Sequence, residues 1–387
     1  MKTICKRENC TGCGACVNAC PKSCISLDAL GGIGHVYPVI EELRCLECGV
    51  CKKVCPQNKL PNLIVPQKTY AAFSLDEKER KIASSGGLAS YFTRKILENG
   101  GVVYGCSSNL KDRKICHIRC ENKEQAQELR GSKYVQSSME DCYQHCKTDL
   151  LEGKEVLFIG LPCQIAGLKS FLGKEQEHLT TVDLICHGVA PQKLLFEHLV
   201  DCKSEAGTNI SFRSPSGYRL IVRKAEQTLL NVNSIDDLYY IGFLAGLYFR
   251  KSCYQCRYAT KERIGDLTLG DFWGLGKEIP FDGDIKDGVS LLLVNTDKGG
   301  SLLARYREGL FFVERTLQEA QKENQNLVHP SPKHRNTEKF SLIYSKQGFK
   351  KAAKKCLKKE ILKYKIVKIS EKSGLVRTMV RLVRKAK

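Results

Sequence analysis

The chain has 387 residues, 21 cysteines and a formal net charge of +20, a length that suits two or three domains with a substantial core. Its N-terminal residues lack the apolar core of a signal peptide, and no apolar run reaches the ~18 residues of a membrane span. We therefore expect neither a secreted disulfide scaffold nor an integral membrane protein. So many cysteines in a reducing cytoplasm indicate metal and redox chemistry instead.

Two cysteine runs of identical spacing dominate residues 1–62. Both have the pattern C-x2-C-x2-C-x3-C-P, which is typical of ferredoxins with two 4Fe-4S clusters, where the fourth cysteine of each run binds the other cluster. The predicted ligands are Cys10, Cys13, Cys16 and Cys55 for one cluster, and Cys20, Cys45, Cys48 and Cys51 for the other. Zinc sites favour paired C-x2-C motifs or mixtures with His, so zinc fits this pattern less well. Residues 1–62 are predicted to form an α+β ferredoxin-like module.

Strand and helix patterns alternate over residues 63–340, after a proline-containing linker at residues 60–67. Strands are predicted at YAAFSL, VVYGCS, EVLFIG and TTVDLIC, and helices follow the SSGG and GLPCQ segments. This rhythm favours an α/β or α+β domain with a mixed sheet.

Two loops of this domain combine glycine with polar side chains. SSGG (84–87) precedes a helix, where serine caps N–H groups and glycine lets the backbone approach a ligand such as a pyrophosphate. An ordinary helix N-cap is the simpler alternative. In RGSKYVQS (130–137), Lys133 is suited to a phosphate or to the anionic ring of a reduced flavin, with a solvated loop as the alternative.

Four further cysteines stand at the ends of predicted elements. Cys163 begins a helix after a buried strand, Cys186 ends the next buried strand beside His187, and Cys253 and Cys256 form a C-x2-C pair. The residues alone leave three interpretations open. They could hold a third 4Fe-4S cluster, Cys163 could be a nucleophile with His187 as its base, or the thiols could be buried and inert.

Several of these motifs resemble a known family when they are taken in order. The chain contains SSGG before a helix and VVYG, then RGSKYVQS, GLPCQIAGL, VDLICHGV, SCYQCRYA and GDLTLGDFWG. This series is similar to the coenzyme F420 hydrogenase/dehydrogenase beta-subunit family, preceded by a two-cluster ferredoxin domain. The resemblance covers residues 1 to about 340. One position departs from it, because Leu161 stands where the family's GTPCQ form has a threonine hydroxyl.

The resemblance implies an iron–sulfur flavoprotein oxidoreductase with a mixed α/β flavin-binding domain over residues 63–340. Such a protein would bind FAD and exchange a hydride with coenzyme F420 or another organic substrate. A third 4Fe-4S cluster is implied at Cys163, Cys186, Cys253 and Cys256. Flavin contacts are implied for Ser85, Gly86, Gly87, Ser132, Lys133 and Tyr134. In GDLTLGDFWG, the candidates for a flavin or substrate pocket are Asp266, Asp271 and Trp273, with a plain strand and turn as the alternative.

The basic charge is concentrated at the C-terminal end. Residues 346–387 hold sixteen Lys and Arg against two Glu, a net charge of +14 that leaves +6 for the rest of the chain. Residues 349–365 and 375–387 both place apolar side chains at helical spacing among basic ones. We therefore predict a basic helical tail over residues 341–387. It is suited to an anionic membrane surface, or else to packing on the body with a solvated basic face. No base-reading motif accompanies the charge, so nucleic acid is not an expected partner.

The leading hypothesis is a cytoplasmic iron–sulfur flavoenzyme, peripheral at the inner membrane face if the tail binds lipid. A flavin is needed because clusters carry single electrons whereas a hydride carries two. The expected partner is a redox protein, either a ferredoxin or a partner subunit, or else a small-molecule substrate. The alternative is a non-catalytic electron-relay subunit of a larger redox complex. A third hypothesis, a thiol enzyme using Cys163, predicts activity without iron.

Overall fold

The computed structural model describes residues 3–110 and 113–372. They form a small N-terminal module, a large domain built on an eight-stranded sheet, and two helices at the C-terminal end. This arrangement confirms the predicted α+β class, with a ferredoxin-like module, a mixed sheet and a helical C-terminal segment.

The strands and helices follow one another along the chain, with short 3-10 turns between some of them. The strands are β1 (Ile25–Ala29), β2 (Val36–Ile40), β3 (Lys68–Ser74), β4 (Val102–Cys106), β5 (His117–Cys120), β6 (Val156–Gly160), β7 (Leu179–Leu184), β8 (Asn209–Ser214), β9 (Gly217–Lys224), β10 (Gln227–Asn233), β11 (Leu267–Asp271), β12 (Ser290–Val294) and β13 (Leu310–Glu314). The helices are α1 (Ala15–Asn18), α2 (Val50–Lys53), α3 (Glu77–Ile82), α4 (Leu88–Glu98), α5 (Lys123–Glu128), α6 (Cys142–Leu151), α7 (Pro162–Leu172), α8 (Gln192–Asp201), α9 (Leu238–Leu244), α10 (Asp297–Arg305), α11 (Leu317–Glu323), α12 (Thr337–Cys356) and α13 (Lys358–Lys372).

The large sheet has the strand order β13-β3-β12-β11-β7-β6-β4-β5. Its four central strands, β11, β7, β6 and β4, pair in parallel, and the outer pairs are antiparallel. Val156, Leu157 and Phe158 of β6 are all fully buried, as expected for a parallel strand covered on both faces. Parallel strands end at one edge of a sheet, which is where ligands bind in α/β proteins. The residues that directly follow β6, β7 and β11 therefore lie at the same edge of the sheet.

The N-terminal module consists of the β1–β2 hairpin and two one-turn helices. The linker predicted at residues 60–67 is not loose, because Ile64 forms a two-way backbone pair with Arg263, with N–O distances of 2.8 and 2.7 Å. The chain then enters β3, which pairs with both β12 and β13. The module is thus attached directly to the interior of the large sheet.

The C-terminal helices continue the body of the large domain. The predicted boundary between residues 340 and 341 falls inside α12. Phe340, Phe349 and Leu357 are buried in one apolar cluster with side chains of α8 and α9. These large apolar residues dock the helix because their burial outweighs the basic character of the segment. The second predicted tail helix, at residues 375–387, lies outside the described residues. Within the described part of the chain, no helix is long and apolar enough to cross a bilayer.

A buried ion pair joins α8 to α9 and gives a pH-dependent stability. The Nε2 atom of His198 lies 2.6 Å from the Oδ2 atom of Asp237. Burial by itself lowers the pKa of His198, but the hydrogen bond and charge of Asp237 outweigh burial and raise it to about 9. A histidine pKa raised above its unfolded value of 6.5 stabilises the fold fully below that pH, and the contribution is lost as pH rises through about 9.

The wild-type protein is therefore expected to be more stable than Asp237→Asn by on the order of 2 kcal/mol at pH 6, with the difference shrinking towards pH 10. Denaturant midpoints at both pH values measure this difference. Asparagine retains an oxygen that can accept the Tyr240 N–H, as Asp237 does when it caps α9. The comparison therefore tests the charge of Asp237 and leaves the helix cap in place. A difference that is constant with pH would contradict the assignment.

Candidate functional site

The first cysteine set consists of Cys10, Cys13, Cys16 and Cys55, which line one cavity of the N-terminal module. The pKa of Cys16 is raised by burial and by the neighbouring Cys13, Cys10 and Cys55 thiols. The structure therefore brings the last cysteine of the second run to the first three of the first run. This is the crossed arrangement that the spacing predicts.

The second cysteine set consists of Cys20, Cys45, Cys48 and Cys51. Burial and the neighbouring Cys20 and Cys48 thiols raise the pKa of Cys51, so Cys20 crosses to the second run. Cys48 is exposed. A further thiol, Cys24, has its sulfur 3.4 Å from that of Cys20, a proximity that the spacing of the runs does not predict.

The third cysteine set consists of Cys163, Cys186, Cys253 and Cys256. Cys163 is the second residue of α7 after β6, and Cys186 follows β7. Cys253 lies in the 3-10 turn Lys251–Gln255, and Cys256 is the residue that follows this turn. The pKa of Cys163 is raised well above its usual range by burial, then by the thiols of Cys186, Cys256 and Cys253. The structure thus brings all four residues together.

This third set has the chemistry of a cluster site more than that of a nucleophile. A nucleophilic cysteine needs a lowered pKa, whereas burial and its neighbours raise that of Cys163. Four thiols that hinder one another's ionisation are stabilised as thiolates when iron binds them. Among the described residues, no group of three or more His, Cys, Asp or Glu side chains forms a site for a single metal ion. A four-iron cubane is a larger body than one ion and needs more widely spaced sulfur atoms.

Unpartnered polar atoms around these sets also fit bound clusters. Seven buried side-chain atoms find no hydrogen-bond partner among the described residues, and two of them lie beside these cysteine sets, namely Nε2 of Gln57 and the hydroxyl of Tyr258. Buried polar groups without partners are rare in folded proteins, and an ion or water that completes the site is a common explanation. Cluster sulfur atoms are acceptors for such donors.

The first and third sets adjoin each other across α7. A Cβ added to Gly167 of α7 would lie 3.1 Å from the sulfur of Cys13, so the helix backbone is pressed against that ligand. The hydroxyl of Tyr143 lies 2.8 Å from the carbonyl oxygens of both Cys13 and Gln164. Cys13 also contributes to the raised pKa of Cys163. One predicted cluster site of the module therefore faces the predicted site of the large domain.

A buried arginine holds the module in place. Arg250 donates to the side-chain oxygen of Gln136 at 2.9 Å, to the carbonyl of Cys10 at 3.3 Å and to that of Val36 at 2.6 Å. Gly12 has a positive φ of 66°, and a Cβ there would lie 2.6 Å from the Nε2 atom of Gln136. Sequence reasoning missed Arg250, although a charged residue three positions before Cys253 at the end of an apolar segment is a usable signal.

A second buried arginine orders the residues around the third set. The Nη2 atom of Arg263 lies 2.7 Å from Oδ1 of Asp183, and the side chains are 1% and 0% exposed. The other carboxylate oxygen accepts the N–H groups of Ile264 and Gly265 at 3.0 and 2.9 Å. Asp183 precedes Cys186 by three residues, so this pair fixes the end of β7 and the loop that carries Cys256.

The two loops singled out as flavin candidates meet each other. The backbone N–H of Ser132 donates to Oγ of Ser84 at 2.7 Å. Arg213 joins both loops to β11, since it bonds to the carbonyl of Ser84, to the hydroxyl of Tyr134 at 2.9 Å, and to both carboxylate oxygens of Asp271 at 2.6 and 3.2 Å. Sequence reasoning missed this arginine, which lies in an ordinary strand pattern.

An open cavity lies between these loops and β8. Its lining includes Ser84, Arg130, Gly131, Ser211 and Arg213. Two arginines, serine hydroxyls and a glycine turn are the groups that bind pyrophosphates in proteins. These residues therefore fit the phosphate part of a dinucleotide such as FAD.

The other predicted flavin residues have structural partners. Ser85 donates to the carbonyl of Val289 at 3.0 Å, and the N–H of Gly86 donates to Oγ of Ser290 at 3.0 Å. A Cβ on Gly86 would lie 2.5 Å from the carbonyl of Ala72, so only glycine fits there. Gly87 is the N-cap residue of α4.

Lys133 and Tyr134 are also engaged within the protein. The ammonium of Lys133 donates to the carbonyls of Glu128, Leu129 and Arg130 at 3.2, 3.0 and 2.8 Å, which caps the end of α5. Burial lowers the pKa of Lys133 to about 8. Tyr134 stacks on Phe243 with ring centroids 4.9 Å apart. The flavin contacts of both residues stay predictions.

The three candidates in GDLTLGDFWG separate into core and cavity. Asp266 is buried and accepts the N–H and hydroxyl of Thr181 at 2.8 and 2.6 Å, which makes it part of the sheet's interior. Asp271 pairs with Arg213 beside the cavity. Trp273 is exposed and stacks on Tyr218 with centroids 6.3 Å apart.

The departure at Leu161 leaves the start of α7 without a side-chain cap. The backbone N–H of Leu161 instead donates to Oε1 of Gln164 at 2.8 Å, and Pro162 at the first helical position has no N–H to satisfy. The helix that carries Cys163 is thus capped from within.

Comparisons with known proteins support both parts of the chain. Residues 153–319 match the family model for the C-terminal part of the coenzyme F420 hydrogenase/dehydrogenase beta subunit. Residues 9–59 match the family described as 4Fe-4S dicluster domain. Among solved structures, a chain in the F420-reducing NiFe hydrogenase complex from Methanosarcina barkeri is similar, with 18% identity, a TM-score of 0.46, and coverage of 81% of this chain and 96% of that chain. No curated protein matches this chain.

Proposed function

We propose that this chain, which matches the model of the coenzyme F420 hydrogenase/dehydrogenase beta-subunit family over residues 153–319 and a 4Fe-4S dicluster domain over residues 9–59, is an iron–sulfur flavoenzyme. In this proposal it passes electrons between three 4Fe-4S clusters and an FAD that exchanges hydride with coenzyme F420 or another organic substrate. When bound, the clusters supply one-electron transfer and the flavin supplies hydride exchange, which clusters alone cannot perform.

The observation that carries this proposal is the contact between the first and third cysteine sets. Cys13 packs against α7, whose second residue is Cys163. Arg250 and Ser252 both donate to the carbonyl of Cys10, which fixes the module on the loop that holds Cys253. Ligand sets held in contact by buried hydrogen bonds support electron exchange between the module and the large domain.

The residues proposed to hold the flavin are those of the cavity between the two loops. Arg130, Arg213 and the backbone of Gly131, which all line this cavity, would bind its pyrophosphate. Asp271 holds Arg213 in position through a two-point ion pair. The contacts predicted for Ser85, Gly86, Gly87, Ser132, Lys133 and Tyr134 belong to this proposal.

The iron and flavin content of the purified protein tests this proposal directly. Protein purified without oxygen is expected to contain about twelve iron atoms per chain, since three cubanes carry four irons each, and about one FAD. Iron, acid-labile sulfide and flavin released by heat are measured on the same sample. About eight irons would remove the third cluster from the proposal, and protein without flavin would remove the hydride chemistry.

Replacing Arg213 by Leu is expected to lower the affinity for FAD at least tenfold, which corresponds to about 1.4 kcal/mol, because the cation beside the pyrophosphate is lost. Flavin retained after gel filtration and a titration with added FAD measure the change. Arg219→Leu is the matched control, since Arg219 is a partly buried arginine on β9 that is bonded to Asn231 rather than to the residues of the cavity. Equal FAD affinity in wild type and Arg213→Leu would place the flavin elsewhere.

An electron-relay subunit is the second candidate function, and the surface of the second cysteine set favours it. Cys48 is exposed, and the nearby Leu43 and Leu46 are exposed apolar side chains. Exposed apolar groups beside a redox centre suit a docking partner, such as a ferredoxin or another subunit. Flavin-dependent activity of the purified chain alone supports the enzyme, and activity only with a partner subunit supports the relay.

The described part of the basic tail supports a peripheral membrane contact at an anionic surface. On α13, Leu362, Ile366 and Ile369 are 59%, 48% and 68% exposed, at the i, i+4 and i+7 positions of one helix face. Ile361 and Tyr364 pack instead against the core. Lysines lie on both sides of the exposed stripe, which matches a helix lying in the interface of an anionic membrane.

Replacing Leu362, Ile366 and Ile369 together by Ser is expected to weaken binding to vesicles rich in phosphatidylserine by at least tenfold. Each side chain loses apolar burial in the lipid, while the lysines remain. Vesicle sedimentation measures the binding. The control variant, Leu151→Ser with Ile285→Ser, removes exposed apolar side chains elsewhere. Unchanged binding of the triple variant would exclude this helix as the contact.

A further inference from the structure

The hydroxyl of Tyr258 is a buried donor that lacks a partner. Tyr258 is 3% exposed, and its hydroxyl finds no hydrogen-bond partner among the described residues. A buried tyrosine usually places its O–H on an acceptor, because an unsatisfied buried hydroxyl costs about 1–3 kcal/mol. An acceptor is therefore expected at this position in the complete protein.

The side chain lies between two of the cysteine sets. Tyr258 belongs to the same apolar cluster as Cys13, against which Cys163 and Cys256 also pack. Cys256 follows the 3-10 turn that holds Cys253, so Tyr258 lies on the same loop as two residues of the third set. The side chain of Tyr258 is therefore packed among residues of both the first and the third set.

The backbone of Tyr258 is held in place by a buried arginine. Its carbonyl accepts Nη1 of Arg263 at 3.2 Å, and Arg263 is held by Asp183. The residue also follows Cys256 by only two positions, so the loop that carries this ligand carries the hydroxyl as well. Other buried tyrosines satisfy their hydroxyls within the protein, for example Tyr240 on the carbonyl of Phe212 at 2.6 Å.

We propose that Tyr258 donates its hydroxyl hydrogen bond to a sulfur atom of the third cluster and thereby raises the reduction potential of that cluster. One added electron makes a cluster more negative by one charge, and an O–H dipole directed at sulfur stabilises the reduced form more than the oxidised form. The proton remains on the tyrosine oxygen throughout. Through this hydrogen bond, Tyr258 would influence how an electron is distributed between the first and third clusters.

This inference rests on the proposed third cluster, and the test separates the two. Tyr258→Phe removes the hydroxyl and keeps the ring that packs beside Cys13. In the holoprotein without oxygen, a potentiometric titration followed by electron paramagnetic resonance measures each cluster. At a fixed potential, we expect the ratio of reduced to oxidised third cluster to fall about tenfold, which is a shift of about −59 mV for a one-electron couple. The signal of the third cluster is assigned by its loss in Cys253→Ser.

Tyr240→Phe is the matched control, because its hydroxyl already has a protein acceptor among residues of another apolar cluster. It is expected to leave all potentials unchanged. Unchanged potentials in Tyr258→Phe with about twelve irons bound would overturn the role of Tyr258 alone. A shift confined to the first cluster would overturn the assignment to the third. Wild-type protein with about eight irons would overturn both this inference and the third cluster on which it rests.

Discussion

Asp183→Asn is expected to lower the free energy of unfolding by about 3–5 kcal/mol, because it leaves the buried guanidinium of Arg263 without its counter-charge. The aspartate and arginine are 0% and 1% exposed, so water cannot compensate the remaining charge. Asparagine keeps the shape of the side chain, and one oxygen can still accept from Ile264 or Gly265. Denaturant titrations of the anaerobic holoprotein measure the loss.

Two comparisons isolate the buried charge. Glu323→Gln breaks an ion pair between Glu323 and Lys277, whose side chains are 47% and 63% exposed, respectively. We expect this substitution to lower the free energy of unfolding by less than about 1 kcal/mol. The double variant Asp183→Leu with Arg263→Met removes both buried charges and is expected to recover part of the loss. A cost below about 1 kcal/mol for Asp183→Asn would contradict the role given to this pair.

Cys253→Ser is expected to reduce the iron content from about twelve to about eight atoms per chain, because a cubane loses one of its four thiolate ligands. The visible absorption should fall by about one third, while the two clusters of the N-terminal module retain their resonance signals. Iron analysis and spectroscopy on the same anaerobic sample measure both effects.

The matched control for this prediction is Cys202→Ser. Cys202 is also half-buried, but its sulfur lies 3.6 Å from Nε2 of His198 and it belongs to none of the three sets. This control should retain about twelve irons. The same iron content in Cys253→Ser and wild type would show that the third set holds no cluster.

The cysteine sets were predictable because their signals are local. The two runs in the module have a fixed spacing that one short segment displays. The third set spans a longer stretch of chain, but Cys163 and Cys186 follow strands β6 and β7, and parallel neighbouring strands end at one edge. Strand periodicity and a C-x2-C pair left a shared cluster as one of three interpretations, and the family resemblance was needed to favour it.

The residues that join the parts were not predictable in the same way. Arg213, Arg250 and Arg263 act through partners that are 58, 114 and 80 positions away, respectively Asp271, Gln136 and Asp183. Hydrophobic periodicity reports which face of an element is buried, but not which distant group a buried arginine meets. The docking of α12 was one of two alternatives predicted for the basic tail, because helical spacing of apolar residues indicates a buried face but not whether that face contacts the protein body or a lipid surface.

The placement of β3 has a consequence for the order in which the protein is made. The ribosome releases the N-terminal module first, yet β3, which follows it directly, pairs with Leu291 of β12 and Phe311 of β13. Arg250, which clasps Cys10, is also synthesised late. During translation the module must therefore exist for some time as an undocked unit, and its two metal centres can be assembled before the central sheet has closed. The proposed third centre can form only after Cys256 has been synthesised.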